Sequence, residues 1–567
     1  MFKTEQQLMV LLKKIGIKNE INFTVPPKAE MGDLAFACFE IAKLENKNPA
    51  EVAKELAEKL ISKIKPIKVI EKVVAFGPYI NFYFDTGVYA KIILDEIVKK
   101  GKNYGVNKNG KNKKVLIEYP SNNTHKELHV GHLRNICLGN ALANIFEVNG
   151  FKITKVNYLN DFGAHVAKCL WGLKKFHSKD KAPKNRQKWL GEIYAESSRY
   201  LKEHPEFEEE VKEIQKKMEA KDKSIWPLYL QTRQWSIDGF TPIFKELKVI
   251  HKTVFCERET KHIGQKMVDK LLQKGIAKVG EGGAIIVDLS KYNLDIALLR
   301  KSNGSGLYLT SDLGLAVAKN KKYKATESIH LTGIEQKLYF KQLFKILELS
   351  GYKYKMTHIG YGLVSLPSGK MSSREGTVIL YEDIYNEVFS EVYKETIKRH
   401  GDWPKKKIED NVKKITFGAI KFDILKHEAQ KSIVFDPNDA VSFDGFTGPY
   451  VLYTVARINS LLIKGKKCSI AKADYAYLKN AEEKNLIKHL ADFNFEIEKA
   501  FKNYNPSVIV KYCFDTAQAF SDFYTKVSIL KTDDEKIRCA RLSLCLATKI
   551  VLQNALNILS IDTVEEM

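Results

Sequence analysis

From residue 114 to about 365 the chain alternates short β-like runs with stretches of helical period, and this alternation constrains the fold more than any other feature. VLIEY is followed by LRNICLGNALANIFEVNG and then KITKVNYL; beyond a long charged stretch come GAIIVDL, GLYLT, SIHLTGI and MTHIGYGLV. Strands separated by helices imply βαβ units on a parallel sheet, because parallel neighbours need a crossover and a helix supplies it. The class expected is α/β with a Rossmann-type sheet. Such sheets bind ligands at the carboxyl ends of their strands.

The flanks read differently. Residues 1 to about 95 form an α+β unit: NPAEVAKELAEKLISKI is a helix opened by Asn48 and Pro49, and VIEKVVAFGPYINFYFD is strand-like with a turn at Gly77-Pro78. VKKGKNYGVNKNGKNKK lacks apolar periodicity and reads as a linker. The expected division is 1–105 (N-terminal unit and linker), 106–390 (sheet domain) and 391–567, an all-α bundle of amphipathic helices. Within the second unit, residues 170–248 are charged and helical in period, and should lie outside the sheet.

Composition narrows the classes. With 44% hydrophobic and 28% charged residues, 567 residues suffice for several cores. No apolar run approaches the ~20 residues that span a bilayer, and MFKTEQQLMVLLKKIG lacks the features of a signal peptide. The expectation is a cytoplasmic, membrane-free protein. Eight scattered cysteines contain no C-x-x-C pair, so no metal site is expected. The +24 net charge, 92 basic against 68 acidic residues, suits a polyanionic partner; it equally suits a Lys-rich, well-solvated surface.

Chemistry concentrates in SNNTHKELHVGHLRN, residues 121–135, which holds three of the 13 histidines. It falls between the first strand and the following helix, where free N–H groups and the positive end of the helix dipole favour phosphate. His129 and His132, three apart, can both donate to phosphate oxygens, and a nearby phosphate would favour their protonated forms. Gly131 would let a base or ribose approach the backbone. Downstream, LPSGKMSSREGTV carries Lys370, Met371, Ser372, Ser373 and Arg374 in a loop suited to folding over a triphosphate. Together these suggest electrostatic stabilisation at a reacting α-phosphate.

HVGH and KMSSR resemble the HIGH and KMSKS signatures of class I aminoacyl-tRNA synthetases, and the whole chain most resembles the arginyl-tRNA synthetases, down to its ending NALNILSIDTVEEM. The resemblance implies that Glu118, Asn123 and Lys126 fill family positions around HIGH. Ser373 stands where KMSKS has its second lysine, and in this family the lysine upstream of HIGH, here Lys126, compensates. His129, His132, Lys126 and Lys370 are then the catalytic set, and Gly131, Met371, Ser372 and Ser373 join the histidines and Lys370 at ATP.

A guanidinium needs carboxylate, amide or phenolic acceptors. Candidates are Glu118 and Asn123 after the first strand, with Tyr308, in the strand-like GLYLT, and Asp312, entering the next helix. The resemblance pairs Tyr308 with Asp312 at the arginine side chain and adds Gln336 and Asp161. Asn122 and His165 depart from the usual Pro and Gln. His125 has no assigned role beyond that of a loop residue.

For tRNA, GPYVLYTVARINSLL is similar to the first helix of the family's anticodon-binding domain, offering Tyr453 and Arg457, with Tyr450 a weaker candidate. The N-terminal unit resembles the domain applied to the tRNA elbow, offering Phe76, Tyr79 and Asn81. The implied activity is formation of arginyl-adenylate from L-arginine and ATP with Mg²⁺, then transfer to tRNA(Arg), by a monomer that activates arginine only with tRNA present. Another nucleotidyltransferase of the HIGH fold, or a non-catalytic tRNA-binding relative, would instead fail to charge tRNA.

Overall fold

The computed structural model describes residues 2–18, 20–302, 306–367, 379–466, 468 and 473–567. At the N-terminus an antiparallel sheet has the order β1-β2-β4-β3, with β1 Phe23–Thr24, β2 Leu34–Ala37, β3 Ile70–Phe76 and β4 Tyr79–Phe84. The helix Pro49–Lys63 starts where expected, the Asn48 side chain accepting the Ala50 N–H at 2.9 Å. Its apolar stripe, Val52, Ala53, Leu56, Ala57 and Leu60, is buried.

The expected linker is not a free tether. Tyr104 is buried, its hydroxyl donates to the Leu490 carbonyl at 3.2 Å, and its ring stacks on Phe493. Asn554 donates to the carbonyls of Gly101 and Tyr104 at 2.9 and 3.0 Å. One buried tyrosine among glycines and lysines makes this anchor, so no periodicity announces it.

The main sheet is parallel throughout, in the order β12-β11-β5-β6-β7. Its strands are β5 Lys114–Glu118, β6 Lys152–Leu159, β7 Thr253–Cys256, β11 Glu327–Gly333 and β12 Lys355–Tyr361. GAIIVDL contains a strand, but not of this sheet: β9 Ile285–Asp288 lies between β8 Lys278–Val279 and β10 Ile296–Arg300 in a separate antiparallel ribbon. GLYLT is corrected outright. Tyr308 opens the helix Tyr308–Tyr323, because Leu309, Leu313 and Ala316 recur at helical spacing and pack into one core. Two short strands, β13 Val364–Ser365 and β14 Ile433–Val434, pair in parallel.

The helix Val130–Val148 is buried on nearly every side. Within it Arg134 is fully buried and donates to five main-chain carbonyls, those of Gly362, Leu363, Glu428, Ala429 and Lys431, at 2.7–3.3 Å. One guanidinium thus ties the helix to the segments flanking the β13–β14 pair.

The insertion forms helices Ala164–Phe176, Arg186–Glu203, Glu208–Glu219 and Trp226–Glu246, with a core that includes Trp171, Leu201, Val211, Met218 and Tyr229. The last part of the chain contains the helices Tyr381–His400, Lys405–Leu425, Gly448–Lys464, Ala481–Lys502, Ser507–Lys526 and Glu535–Ile558. Among the described residues no helix is long and apolar enough to cross a membrane.

Candidate active site at the carboxyl edge of the parallel sheet

His129 caps the helix Val130–Val148. Its Nδ1 accepts the Gly131 N–H at 3.1 Å, its own N–H donates to His132 Nδ1 at 3.2 Å, and the rings lie 3.8 Å apart. Both Nδ1 atoms act as acceptors, so each neutral ring carries its proton on Nε2. Burial, with the charge of Lys126, lowers His129 to about 4; burial, with His129 and Lys126, holds His132 well below its ordinary value. Burial thus favours two neutral Nε2–H donors, and a nearby phosphate would act against that burial. A Cβ on Gly131 would meet the His129 ring at 2.9 Å, so the glycine also makes room for the capping histidine.

The preceding loop is clamped by the insertion. His125 is fully buried at φ +60°, with Nδ1 2.9 Å from Thr124 Oγ1, Nε2 2.8 Å from Thr232 Oγ1, and its backbone N–H donating to Ser236 Oγ at 3.0 Å. Burial, with His165 and Arg233, lowers its pKa to about 3. The residue without a role in the sequence is thus a neutral anchor joining the signature loop to the helix Trp226–Glu246. Asn122, in the place of proline, is buried and accepts from Asn157 Nδ2 at 2.9 Å, linking the loop to β6. His165 Nε2 donates to the Asn160 carbonyl at 3.1 Å. Asn123 bridges to Asn160 beyond the ends of β5 and β6.

Carboxylates gather beside this loop. Glu118, at the end of β5, is buried and pairs with Lys319 at 2.6 Å and His330 at 3.6 Å. Burial opposes its ionisation, but these partners outweigh it and hold it at about 2. Asp161, expected at arginine, is also internal: fully buried, it accepts Arg233 Nε at 2.6 Å and the Arg258 N–H at 3.3 Å. Through the Arg258 N–H it also secures the start of the helix Glu257–Gln273.

Asp312 and Glu257 are different. Asp312 accepts from the Tyr339 hydroxyl at 2.5 Å, and Glu257 opens its helix. Burial raises Asp312 to about 7, Tyr339 and Lys319 opposing and Glu118 adding; burial, with Asp312 and Asp161, raises Glu257 to about 7 against Lys261. Lys261 itself is paired with Glu219 at 2.9 Å. Among the described residues, neither carboxylate forms an ion pair. Tyr308, 75% exposed, lies one turn before Asp312 on the same helix face, and Gln336 is exposed just past β11. Glu257 and Tyr339 escaped the sequence reading, since a helix-opening acid and a core-like tyrosine are commonplace.

Lys370, Met371, Ser372 and Ser373 lie outside the described residues. Far from the sheet, Arg457 is sandwiched between Tyr453 and Tyr524, 4.6 and 4.7 Å from the ring centres; Tyr524 is an addition. Tyr450 packs instead against Phe514. At the N-terminal hairpin Phe76 and Tyr79 are exposed, whereas Asn81 is buried with its Oδ1 unpaired.

Residues 93–437 match the family model of the class I tRNA synthetases (R), catalytic domain; residues 451–567 match the DALR anticodon binding domain, and residues 4–84 the arginyl tRNA synthetase N terminal domain. The arginine–tRNA ligase of Clostridium acetobutylicum is 35% identical over 547 residues, covering 96% of this chain and 95% of the relative. That of Treponema denticola is 34% identical over 577 residues, covering 97% and 95%. The arginyl-tRNA synthetase structure of Thermus thermophilus shares the fold over 99% of both chains, with TM-score 0.82 at 24% identity. The catalytic-domain match spans more than half of the chain and the relatives are a third identical over nearly all of it: the chain belongs to the arginyl-tRNA synthetases, class I aminoacyl-tRNA synthetases that act as arginine–tRNA ligases.

Proposed function

We propose that Asp312 and Glu257 receive the guanidinium of L-arginine, with Tyr308 and Gln336 beside them and Asn123 toward the amino end. One observation carries this reading: two carboxylates at the sheet edge, both raised to about 7, lack a cationic partner among the described residues. A permanently charged planar fork supplies what they lack. Glu118, already paired with Lys319, adds negative potential from beneath.

The arginine carboxylate attacks the α-phosphorus of ATP; the bond to the β-phosphate oxygen breaks, giving arginyl-adenylate and pyrophosphate. His129 and His132 meet the developing charge with their Nε2–H donors, and Lys126 supplies the cation that Ser373 does not. Lys370, Met371 and Ser372 complete the ATP site, and Mg²⁺ enters on the ATP phosphates as part of the substrate. The terminal ribose hydroxyl of tRNA(Arg) then takes the arginyl group and AMP leaves. Tyr453, Arg457 and Tyr524 offer a stacking face to a loop base, as Phe76 and Tyr79 do at the other end of the tRNA. We assign the chain to the cytoplasm as a monomer.

ATP-dependent charging of bulk tRNA with each amino acid in turn tests the reading, and charging should occur with arginine alone. Pyrophosphate exchange should need tRNA; robust exchange without it removes that part. The carboxylates also set a pH dependence. Arginine stays cationic, so protons on groups with a pKa of about 7 must leave before it binds, and its KM falls as pH rises. For one such group, KM at pH 6 should be about fivefold that at pH 7. A flat profile from pH 6 to 8 would count against Asp312 and Glu257.

A further inference from the structure

The helix Arg186–Glu203 presents Gln187, Gly191 and Tyr194 at spacings of four and three, one face of the helix, toward residues 126 and 127. Gln187 Nε2 donates to the Lys126 carbonyl at 2.9 Å. A Cβ on Gly191 would lie 2.6 Å from Glu127 Cγ, so the helix backbone rests against the loop. The Lys126 ammonium stands over the Tyr194 ring, 4.4 Å from its centre, and makes no ion pair with a carboxylate among the described residues. Burial works against ionisation of Tyr194, yet the charge of Lys126, hydrogen bonding from Lys126 and Ser198 to the phenol oxygen, and the charge of Lys168 together outweigh it and hold the phenol below its ordinary range. On the other side, the charge of Lys126 reaches His129, His132 and His165, adding to the burial that keeps them neutral.

An aromatic face suits a lysine that must serve a phosphate. A carboxylate would neutralise the ammonium and compete with the substrate, whereas a ring orients the cation and leaves its charge available. We propose that Tyr194 is a positioning residue of the adenylation step: its ring face, carried by the helical insertion, holds the Lys126 ammonium beside the His129–His132 donors. The inference rests on the reading that Lys126 supplies the missing loop cation. The insertion then acts as the mould for a catalytic loop, its polar face matched to the loop's main chain and to one cation.

The test is steady-state arginylation by the full chain, with the variants Tyr194→Leu, Tyr194→Phe and Lys126→Ala and the double variant of the first and last. Tyr194→Leu should lower kcat about tenfold while the KM for arginine stays within about twofold, and Tyr194→Phe, keeping the ring, should retain at least about a third of kcat. The double variant should be no slower than Lys126→Ala, because residues acting through one another do not add. Tyr194 is only partly buried, so all three side chains fit the position. Multiplicative losses, an unchanged kcat in Tyr194→Leu, or a Phe variant as slow as the Leu variant would overturn the positioning role and leave Lys126 in place. Wild-type kcat in Lys126→Ala would instead remove the reading beneath it.

Discussion

Asp312→Ala should abolish efficient use of arginine while leaving ATP binding nearly intact. Asp312 is the carboxylate that one turn of helix places beside Tyr308, and the Tyr339 hydroxyl fixes its orientation at 2.5 Å. Its removal deletes a charge-assisted pair and, in the proposed pocket, leaves Glu257 as the one carboxylate facing the guanidinium. Losing such a pair in a partly desolvated site costs about 3–4 kcal/mol, which is roughly 10²- to 10³-fold in kcat/KM for arginine. The KM for ATP should move less than about threefold, since the phosphate donors sit on another helix. Arginylation kinetics with arginine varied at saturating ATP and tRNA decide it; a near-wild-type arginine dependence removes Asp312 from the pocket.

The same residue predicts a trade of stability for function. The folded-state pKa of Asp312 is raised above its unfolded value, so the folded chain binds the extra proton, and stability is lost as pH rises toward and through about 7. Asp312→Asn removes that ionisation while retaining an acceptor for Tyr339. At pH 8 without substrate, its melting temperature should equal or exceed that of the wild type even as arginine use collapses.

Arg134→Met should be the most damaging single change away from the substrate. Five carbonyls from two separate segments share this guanidinium, which is fully buried. A buried acceptor left without a donor costs about 1–3 kcal/mol, and partial relaxation keeps five of them from adding in full, so a loss of at least about 4 kcal/mol is expected. Arg134→Lys should fall between, since a single ammonium cannot span both carbonyl sets as a planar fork does. Thermal melts followed by circular dichroism, with limited proteolysis at residues 362–367 and 427–432, provide the measurement. A melt indistinguishable from wild type would show that the five bonds are redundant.

Legibility in the sequence followed the range of the interaction. Asn48-Pro49 opens a helix because a cap acts within one turn, and Gly77-Pro78 turns a hairpin for a similarly local reason. His129 and His132 were readable as a pair because three residues of helix put them together. GLYLT misled because its alternation is shorter than the helical repeat of leucines that overrides it. The Glu118–Lys319 pair spans 201 positions, and the contact of His125 with Thr232 spans 107; neither leaves a local mark.

The sequence by itself determined the parallel α/β layout, the α+β N-terminal and helical C-terminal flanks, the strand-to-helix placement of HVGH and the presence of a lysine shortly upstream of it. These follow from periodicity, capping and spacing, which act over a few residues. Tertiary structure decided which carboxylates are ion-paired, as Asp161 and Glu118 are, and which form no ion pair among the described residues, as Asp312 and Glu257. It also decided that burial lowers the pKa of both signature histidines, and that an insertion expected outside the sheet grips the loop that carries Lys126. Desolvation and through-space charge set those outcomes, and both depend on what the fold brings near, whatever its distance along the chain.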